Sequence, residues 1–299
     1  MHPPPVIITR FMKPSQSEFV QIRGLRYHCR CWGGERAPKL FMLHGWMDVS
    51  ASFQFLADAL RRDWRVIAPD WRGFGLSEWA RSDSYWFPDY FADLDRLLEH
   101  FQPASPATLV GHSMGGNVAA MYAGIRPERV AKLVNLEGLG LTGTRAEKAP
   151  ERYARWVAEL REKPAFRDYE SFEALAERLR GNNSRLSGEK ASFLARHWGR
   201  SKADGRVELA SDPAHKLVNP VLYRVEEAEA CWRKVAAPVL WVVGAESKAP
   251  EMLKLSSADL AARKACFRQL TERVISDAGH MLHHDQPERL AAVIEEFLG

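Results

Sequence analysis

Residues 107–118, which read A-T-L-V-G-H-S-M-G-G-N-V, decide how the rest of the chain is interpreted. The apolar run at 108–110 predicts a strand, and a helical pattern begins directly after the serine. A G-x-S-x-G sequence between a strand and a helix is typical of a nucleophile elbow, a sharp turn that exposes a serine hydroxyl. The stretch therefore marks Ser113 as a candidate nucleophile.

The glycines around Ser113 have a steric explanation. At so sharp a turn, side chains two residues before and two after the serine would collide, so Gly111 and Gly115 stand where a Cβ is most costly. The N-terminus of the following helix points at the hydroxyl and favours negative charge there. Together with the third glycine, Gly116, these features favour a chemical role for Ser113 over a chance match.

Length and composition are those of an ordinary globular protein. The chain has 299 residues, of which 46% are hydrophobic and 27% charged, and this suits one large α/β domain with an insert. No apolar run is long enough to cross a bilayer, so no membrane span is expected. The net charge of +4 is too small to indicate a nucleic-acid partner.

The N-terminal segment and the cysteines favour a cytoplasmic location. Residues 1–17 are predicted to form a loosely held arm, and its first five residues, Met-His-Pro-Pro-Pro, lack the basic start of a signal peptide. The four cysteines are scattered and have no metal-ligand spacing, so they are expected to be buried thiols. No metal or cofactor is expected, and the sequence leaves the oligomeric state unknown.

Strands and helices alternate on both sides of a long insert. Apolar strands are predicted at 39–43, 66–69, 108–110, 130–136 and 239–243, after a hairpin at 18–22 and 25–32. This alternation predicts an α/β fold with a mostly parallel central sheet flanked by helices. The predicted α/β core comprises residues 1–138 and 236–299.

The insert, residues 139–235, has a different pattern. It shows only amphipathic helical patterns, at 151–163, 171–180, 188–199 and 220–234, and it contains the whole positive excess of the chain. We expect an all-helical cap, or lid, over the carboxyl edge of the sheet, where such folds bind ligands. After the sheet resumes, Leu290, Val293, Ile294, Phe297 and Leu298 form the apolar stripe of a C-terminal helix.

A serine hydroxyl is a weak nucleophile until a base accepts its proton. The candidate bases downstream of the serine are His197, His215, His280, His283 and His284. Only His280 follows a short strand and a glycine at the predicted carboxyl edge, so it is the predicted base. His197 and His215 fall in the cap, whereas His283 and His284 are expected at the surface or behind the catalytic residues.

The acid that orients the base is harder to assign. In sheets of this type it commonly follows the strand at 239–243, but the usual position of an aspartate holds Ser247 here. Glu246 lies one residue earlier and is out of register. The other location is the end of the preceding strand, where Glu137 closes the apolar run. Glu137 is therefore the predicted acid, and Glu246 is the substitute.

Backbone N–H groups must stabilise the negative charge that develops on a carbonyl oxygen. One predicted donor is the N–H of Met114, directly after the nucleophile. The other is the N–H of Trp46, after a turn that Gly45 permits. The side chains of Trp46 and Met114 would then line the acyl pocket or simply pack in the core, while His44 and His112 are expected to be hydrogen-bonded structural residues.

Four blocks of the sequence together resemble the α/β-hydrolase superfamily. They are residues 44–48 (H-G-W-M-D), 70–77 (D-W-R-G-F-G-L-S), 111–116 (G-H-S-M-G-G), and 278–281 (A-G-H-M) with Gln286-Pro287-Glu288. The resemblance covers nearly the whole chain and implies a helical cap after the strand that ends at Glu137. It also implies that this strand can supply the acid, as in some haloalkane dehalogenases.

Within that superfamily, the residues favour a serine esterase-like branch. Haloalkane dehalogenases and epoxide hydrolases use an aspartate nucleophile, so Ser113 argues against both activities. We expect a serine hydrolase that cleaves small-molecule carboxylic esters through an acyl-enzyme on Ser113. Alternatives are a thioesterase or acyltransferase, which the basic cap favours, a C–C bond hydrolase, a lactonase, a perhydrolase, or a non-catalytic sensor of small molecules.

Overall fold

The computed structural model describes residues 12–162 and 164–299. Its strands are β1 Ser15–Ile22, β2 Leu25–Trp32, β3 Lys39–Leu43, β4 Arg65–Pro69, β5 Ala107–His112, β6 Val130–Leu136, β7 Gly199–Ser201, β8 Val207–Leu209, β9 Val239–Gly244 and β10 Leu270–Ile275. Its helices are α1 Gln54–Ala59, α2 Phe87–Phe101, α3 Met114–Ile125, α4 Ala149–Arg161, α5 Phe172–Asn182, α6 Gly188–Trp198, α7 Val225–Trp232, α8 Ala249–Met252, α9 Ser257–Lys264, α10 Leu282–Asp285 and α11 Pro287–Leu298. Most of the predicted N-terminal arm, residues 1–11, lies outside the described residues.

Eight strands form one mixed sheet in the order β1-β2-β4-β3-β5-β6-β9-β10. The β1–β2 and β2–β4 pairs are antiparallel, and all later pairs in the sheet are parallel. Parallel strands need crossovers, and helices on both faces of the sheet supply them. The carboxyl ends of β3, β5, β6 and β9 therefore meet along one edge, where such sheets bind ligands.

Helices cover both faces of the sheet and bury two apolar clusters. On one face α2 and α3 pack with Leu94, Leu98 and Val118 fully buried. On the other face α1 and α11 pack together, and the predicted apolar stripe of α11 is buried at Leu290 and Ile294. The mostly parallel α/β architecture predicted from the sequence is confirmed.

In the described residues, the insert contains four α-helices, α4 to α7, but one expectation about it needs correction. The short strands β7 and β8 pair antiparallel, so the insert is not all-helical. The chain turns between them at Asp204-Gly205, where Gly205 has a φ of +82°. Asp-Gly is a preferred dipeptide of tight hairpin turns, and strands of three residues are too short for a detectable alternation of apolar residues.

Helices α5 and α6 form a small apolar cluster of their own. Leu175, Leu179 and Leu194 pack there with Val207 of β8 and with Phe55 of the core. The predicted helix at 151–163 corresponds to α4, and its last predicted residue, Lys163, lies outside the described residues. None of the helices in the described part of the chain is both long and apolar enough to span a membrane.

Candidate active site

The turn between β5 and α3 holds Ser113 in a strained conformation. Its φ of 52° and ψ of −114° lie in a region that residues with a side chain rarely adopt. A Cβ on Gly111 would lie 2.4 Å from the carbonyl oxygen of Gly115, and one on Gly115 would lie 2.1 Å from that of Leu43. Both glycines are therefore required by the close approach of backbone segments, as the steric argument from the sequence expects.

Ser113, His280 and Glu137 form a continuous chain of side-chain contacts. The Nε2 atom of His280 is 3.0 Å from Ser113 Oγ, and its Nδ1 atom is 3.2 Å from Glu137 Oε2. These residues come from three different segments, since Ser113 follows β5, Glu137 follows β6 and His280 follows β10. The carboxylate faces one nitrogen of the ring and the hydroxyl faces the other, which is the arrangement a base needs.

Glu137 is fixed by two further hydrogen bonds. Its Oε1 atom accepts from the N–H of Gly244 at 2.7 Å, and its Oε2 atom accepts from the hydroxyl of Ser247 at 2.6 Å. The residue is 2% exposed. Ser247, which occupies the position where related sheets often carry an aspartate, thus holds the carboxylate that comes from the neighbouring strand.

The substitute acid, Glu246, lies elsewhere. Its carboxylate forms an ion pair with Arg185 of the insert, and its side chain is 54% exposed. No carboxylate oxygen of Glu246 is among the hydrogen-bond partners of His280 in the described structure. The geometry therefore places Glu137, and not Glu246, beside Nδ1 of the ring.

The two histidines that flank the site are hydrogen-bonded within the fold. His44 Nδ1 donates to the carbonyl of Gly45, and its Nε2 accepts from the N–H of Trp71. Burial lowers the pKa of the His44 imidazole to about 4. His112 Nε2 donates to the carbonyl oxygen of His280 at 2.8 Å, so it contacts the loop that carries the ring facing Ser113.

The segment 44–47 approaches the elbow closely. A Cβ on Gly45, the residue before Trp46, would lie 3.2 Å from Ser113 Cβ. Met114 is the first residue of α3, so its N–H has no acceptor within the helix. The two predicted donors therefore come from segments that contact each other at Ser113.

A model of the family described as alpha/beta hydrolase fold matches residues 38–287, which is most of the chain. The chain belongs to the α/β hydrolase fold family. This membership confirms the superfamily that the four sequence blocks indicate. It also agrees with the sheet order and with the position of the elbow after β5.

Relatives and solved structures point to the same class. A serine hydrolase-like protein from Danio rerio is 28% identical over 97% of this chain and 90% of its own length. A 3-hydroxybutyrate-oligomer hydrolase from Cupriavidus necator is 28% identical over 90% of this chain and 91% of its own. A thioesterase domain from the curacin biosynthetic pathway superposes with a TM-score of 0.85 at 26% identity, covering 95% of this chain and 99% of that domain. These similarities support a hydrolase.

A cavity of about 420 Å³ opens onto the Ser113 hydroxyl of this α/β hydrolase. Its wall is largely apolar and aromatic, with Trp46, Trp86, Phe87, Tyr90, Met114, Leu139, Leu141 and Leu253 among the lining residues. Both side chains predicted to line an acyl pocket, Trp46 and Met114, lie in this wall, and Trp46 is 54% exposed. The volume suits a small molecule with an apolar group.

His215, in the insert of this hydrolase, has a place that its sequence context does not reveal. Its ring stacks between Phe74 and Tyr85, with ring centroids 3.8 Å apart in both pairs, and it lines the cavity. Burial lowers the pKa of its imidazole to about 3, so the ring is neutral. A histidine between two helical patterns gives no local signal for stacking, because both partners come from another part of the chain.

The sequence leaves two locations open for His283 and His284, the surface and the region behind Ser113 and His280. Both residues are buried, which excludes the surface. His283 is 0% exposed and His284 is 3% exposed. The ring of His283 lies 4.4 Å from that of His112, measured between centroids. Both histidines lie in the short helix α10, and their packing against Phe53 and Phe55 of the segment 50–59 shows that they face inward.

Proposed function

We propose that this α/β hydrolase cleaves carboxylic ester bonds through an acyl-enzyme intermediate on Ser113. The observation that carries the proposal is the chain of contacts from Ser113 Oγ through both ring nitrogens of His280 to Glu137, at the floor of an apolar cavity. A hydroxyl, an imidazole and a carboxylate in this order form the arrangement that activates a serine for acyl transfer.

In the first half of the reaction, Ser113 Oγ attacks the ester carbonyl and His280 Nε2 accepts its proton. The C–O bond to the alcohol then breaks, and His280 returns the proton to the departing oxygen. In the second half, His280 takes a proton from water as the water attacks the acyl-enzyme. The carboxylic acid leaves, and the proton returns to Ser113.

Glu137 has an orienting role in this scheme. It accepts from Nδ1–H of His280, which presents the Nε2 lone pair to the serine and stabilises the imidazolium that forms. The N–H groups of Met114 and Trp46 donate to the carbonyl oxygen as its negative charge develops. Each such donor contributes about 10²–10³ in rate in known enzymes.

Residues 139–235 act as a cap in the same proposal. Leu141, His215, Leu217 and Asn219 of this segment line the cavity opposite the elbow. A cap that closes over the sheet edge excludes water and shapes the acyl site. The core then consists of residues 1–138 and 236–299.

The test is hydrolysis of p-nitrophenyl esters of short carboxylic acids. Ser113→Ala is expected to lower kcat by about 10⁶, by analogy with other serine triads. The matched control is Ser105→Ala, since Ser105 is exposed and its Oγ only accepts from Gln102. A fluorophosphonate should label the wild type and Ser105→Ala but not Ser113→Ala. Full activity in Ser113→Ala contradicts catalysis at Ser113, whereas a wild type that neither hydrolyses the esters nor reacts with the fluorophosphonate favours a sensor over an enzyme.

A second candidate is thioester hydrolysis. It is favoured by the similarity to the thioesterase domain and by a groove that four arginines line, Arg26, Arg30, Arg196 and Arg200. Two of these come from the insert and two from β2, so an anionic carrier could approach between them. Comparing acyl-CoA with ethyl esters of the same acyl chain decides the matter. A kcat/KM for the thioester far above that of the ester, lost in Arg196→Gln with Arg200→Gln, favours the thioesterase.

A further inference from the structure

Three potential metal ligands converge behind the proposed triad. Asp48 follows β3, His112 ends β5 and His283 belongs to α10, and all three are at most 2% exposed. One ligand atom from each lies within 4.8 Å of the other two. The ring of His112 is also 4.8 Å from that of His280, measured between centroids, so the group adjoins the active site without including its reacting atoms.

The hydrogen bonds of these three residues leave several of their buried polar atoms without a partner among the described residues. Asp48 Oδ1 accepts from the N–H of Val49 and from the hydroxyl of Ser52, but Oδ2 has no partner among the described residues. His112 donates from Nε2 to the carbonyl of His280, so its Nδ1 must carry a lone pair, and that atom also lacks a partner. Neither nitrogen of His283 has a partner within the described chain.

Buried polar atoms without a partner are costly, so this cluster is expected to bind something. When Asp48 is ionised, its Oδ2 atom, the Nδ1 lone pair of His112 and one lone pair of His283 are all acceptors. A single water molecule has two hydrogens and satisfies two of them, whereas a divalent cation satisfies all three. Two imidazoles and a carboxylate form a donor set suited to zinc, cobalt or iron and poorly suited to calcium or magnesium.

We propose that Asp48, His112 and His283 bind one divalent transition-metal ion, of which zinc is the representative, in a site behind the catalytic serine. Asp48 Oδ2 and His283 Nε2 are 3.9 Å apart, and ligands about 2.0–2.1 Å from a tetrahedral zinc lie about 3.4 Å from one another. The donor atoms, which lie within 4.8 Å of one another, must therefore move closer together when the ion binds.

The second hydrogen bond of His112 supports this assignment independently. Histidines that bind metals almost always donate their other N–H to a carboxylate or a backbone carbonyl, which orients the ring. His112 does so toward the carbonyl oxygen of His280. A metal on Nδ1 would therefore act on the loop that carries the proposed base, and the three ligands are too far apart in sequence to show a motif.

Burial of all three ligands has a kinetic consequence. Metal can enter only when the loops around α10 open, so its binding should be slow. Binding to His280 in the open cavity should be fast and should compete with substrate. Metal binding behind the serine does not require the ester hydrolysis proposed above, so it is measured in Ser113→Ala, where loss of that activity cannot obscure it.

The test uses full-length Ser113→Ala that has been treated with a chelator, and Co²⁺ as the probe. We expect one Co²⁺ per chain, bound slowly, with the intense visible absorption of four- or five-coordinate cobalt. Adding His283→Gln or Asp48→Asn should weaken binding by at least about 100-fold. The matched control is His284→Gln, because His284 is equally buried in the same helix but lies outside the ligand group, and it should retain the spectrum.

Three results would overturn the proposal. The first is that only the weak absorption of six-coordinate cobalt is seen after prolonged incubation. The second is that His283→Gln binds Co²⁺ with unchanged affinity. The third is that His284→Gln loses as much Co²⁺ affinity as His283→Gln does. Thermal unfolding monitored by circular dichroism identifies a variant that does not fold. In that case anomalous diffraction from Ser113→Ala crystals soaked in Zn²⁺ decides: a peak between Asp48 and His283 supports the site, and a peak only at His280 refutes it.

Discussion

Acidification should destabilise this protein strongly, because it buries many neutral histidines. Burial is the main cause that lowers the pKa of each. The pKa falls to about 4 for His44 and His197 and to about 3 for His215 and His284. For His112 and His283 the pKa lies well below its usual value. An unfolded chain protonates these rings near pH 6.5, but the folded protein does not. Stability is therefore complete above pH 6.5 and falls as the pH drops toward 4.

The size of the effect follows from proton linkage. Between pH 7 and 5.5, protonation of each of these rings in the unfolded chain alone lowers the free energy of unfolding by slightly more than about 1 kcal/mol, so the six rings together lower it by about 7 kcal/mol. Asp48 acts in the opposite direction, since burial raises its pKa to about 7. The folded protein therefore takes up a proton at Asp48, which recovers between about 1 and 2 kcal/mol over the same range. The net loss of about 6 kcal/mol is comparable to the whole stability of an ordinary domain, about 5–15 kcal/mol.

The assay is guanidinium unfolding at pH 7.0 and pH 5.5 in the presence of EDTA, so that no metal affects the histidines. Proton uptake on unfolding at pH 5.5, measured by calorimetry in buffers of different ionisation enthalpy, should be about four to five per chain. A change in unfolding free energy below about 2 kcal/mol, with uptake below about two protons, would refute the reasoning.

Single substitutions give this prediction a matched control. His215→Gln removes one buried ring, so it should reduce the proton uptake on unfolding by about one and the pH-dependent loss of unfolding free energy by about 1 kcal/mol. His100→Gln changes an exposed ring near the end of α2 and should leave both quantities unchanged. Equal effects in the two variants would show that the pH dependence does not come from burial.

Two further predictions concern catalysis and packing. Glu137→Gln should lower kcat by about 10²–10⁴, because a neutral amide does not stabilise the imidazolium of His280. Glu246→Gln should have little effect on kcat. A large loss of kcat in Glu246→Gln alone would show that Glu246 is the acid. Gly124→Ala places a Cβ 1.8 Å from the carbonyl of Cys231, whereas a Cβ on Gly181 meets nothing within 4 Å. Thermal unfolding should show that Gly124→Ala destabilises the protein by about 1–3 kcal/mol and that Gly181→Ala stabilises it by about 0.5–1 kcal/mol. If Gly124→Ala were the more stable of the two variants, the packing of α3 on α7 would be contradicted.

The sequence determined the features that depend on neighbouring residues. The elbow is visible because Gly111 and Gly115 are separated from Ser113 by a fixed spacing that a strand-to-helix turn imposes. The C-terminal helix is visible because its apolar residues recur at the helical period, and Leu290 and Ile294 are indeed buried. The parallel sheet follows from strands that alternate with helices, since such strands need crossovers. Steric and periodic constraints of this kind act within about ten residues, so the sequence shows them directly.

The tertiary structure alone decided which distant groups meet. The sequence favours Glu137 over the out-of-register Glu246 but leaves both open. In the structure, Ser247 and Gly244 hold Glu137 at the ring of His280, while Arg185 pairs with Glu246 away from it. Likewise, Asp48, His112 and His283 share no motif and converge only because the carboxyl ends of β3, β5 and β10 lie at one edge of the sheet. Such contacts depend on strand order, on the register of neighbouring strands and on the packing of the insert, and no local pattern of residues encodes these.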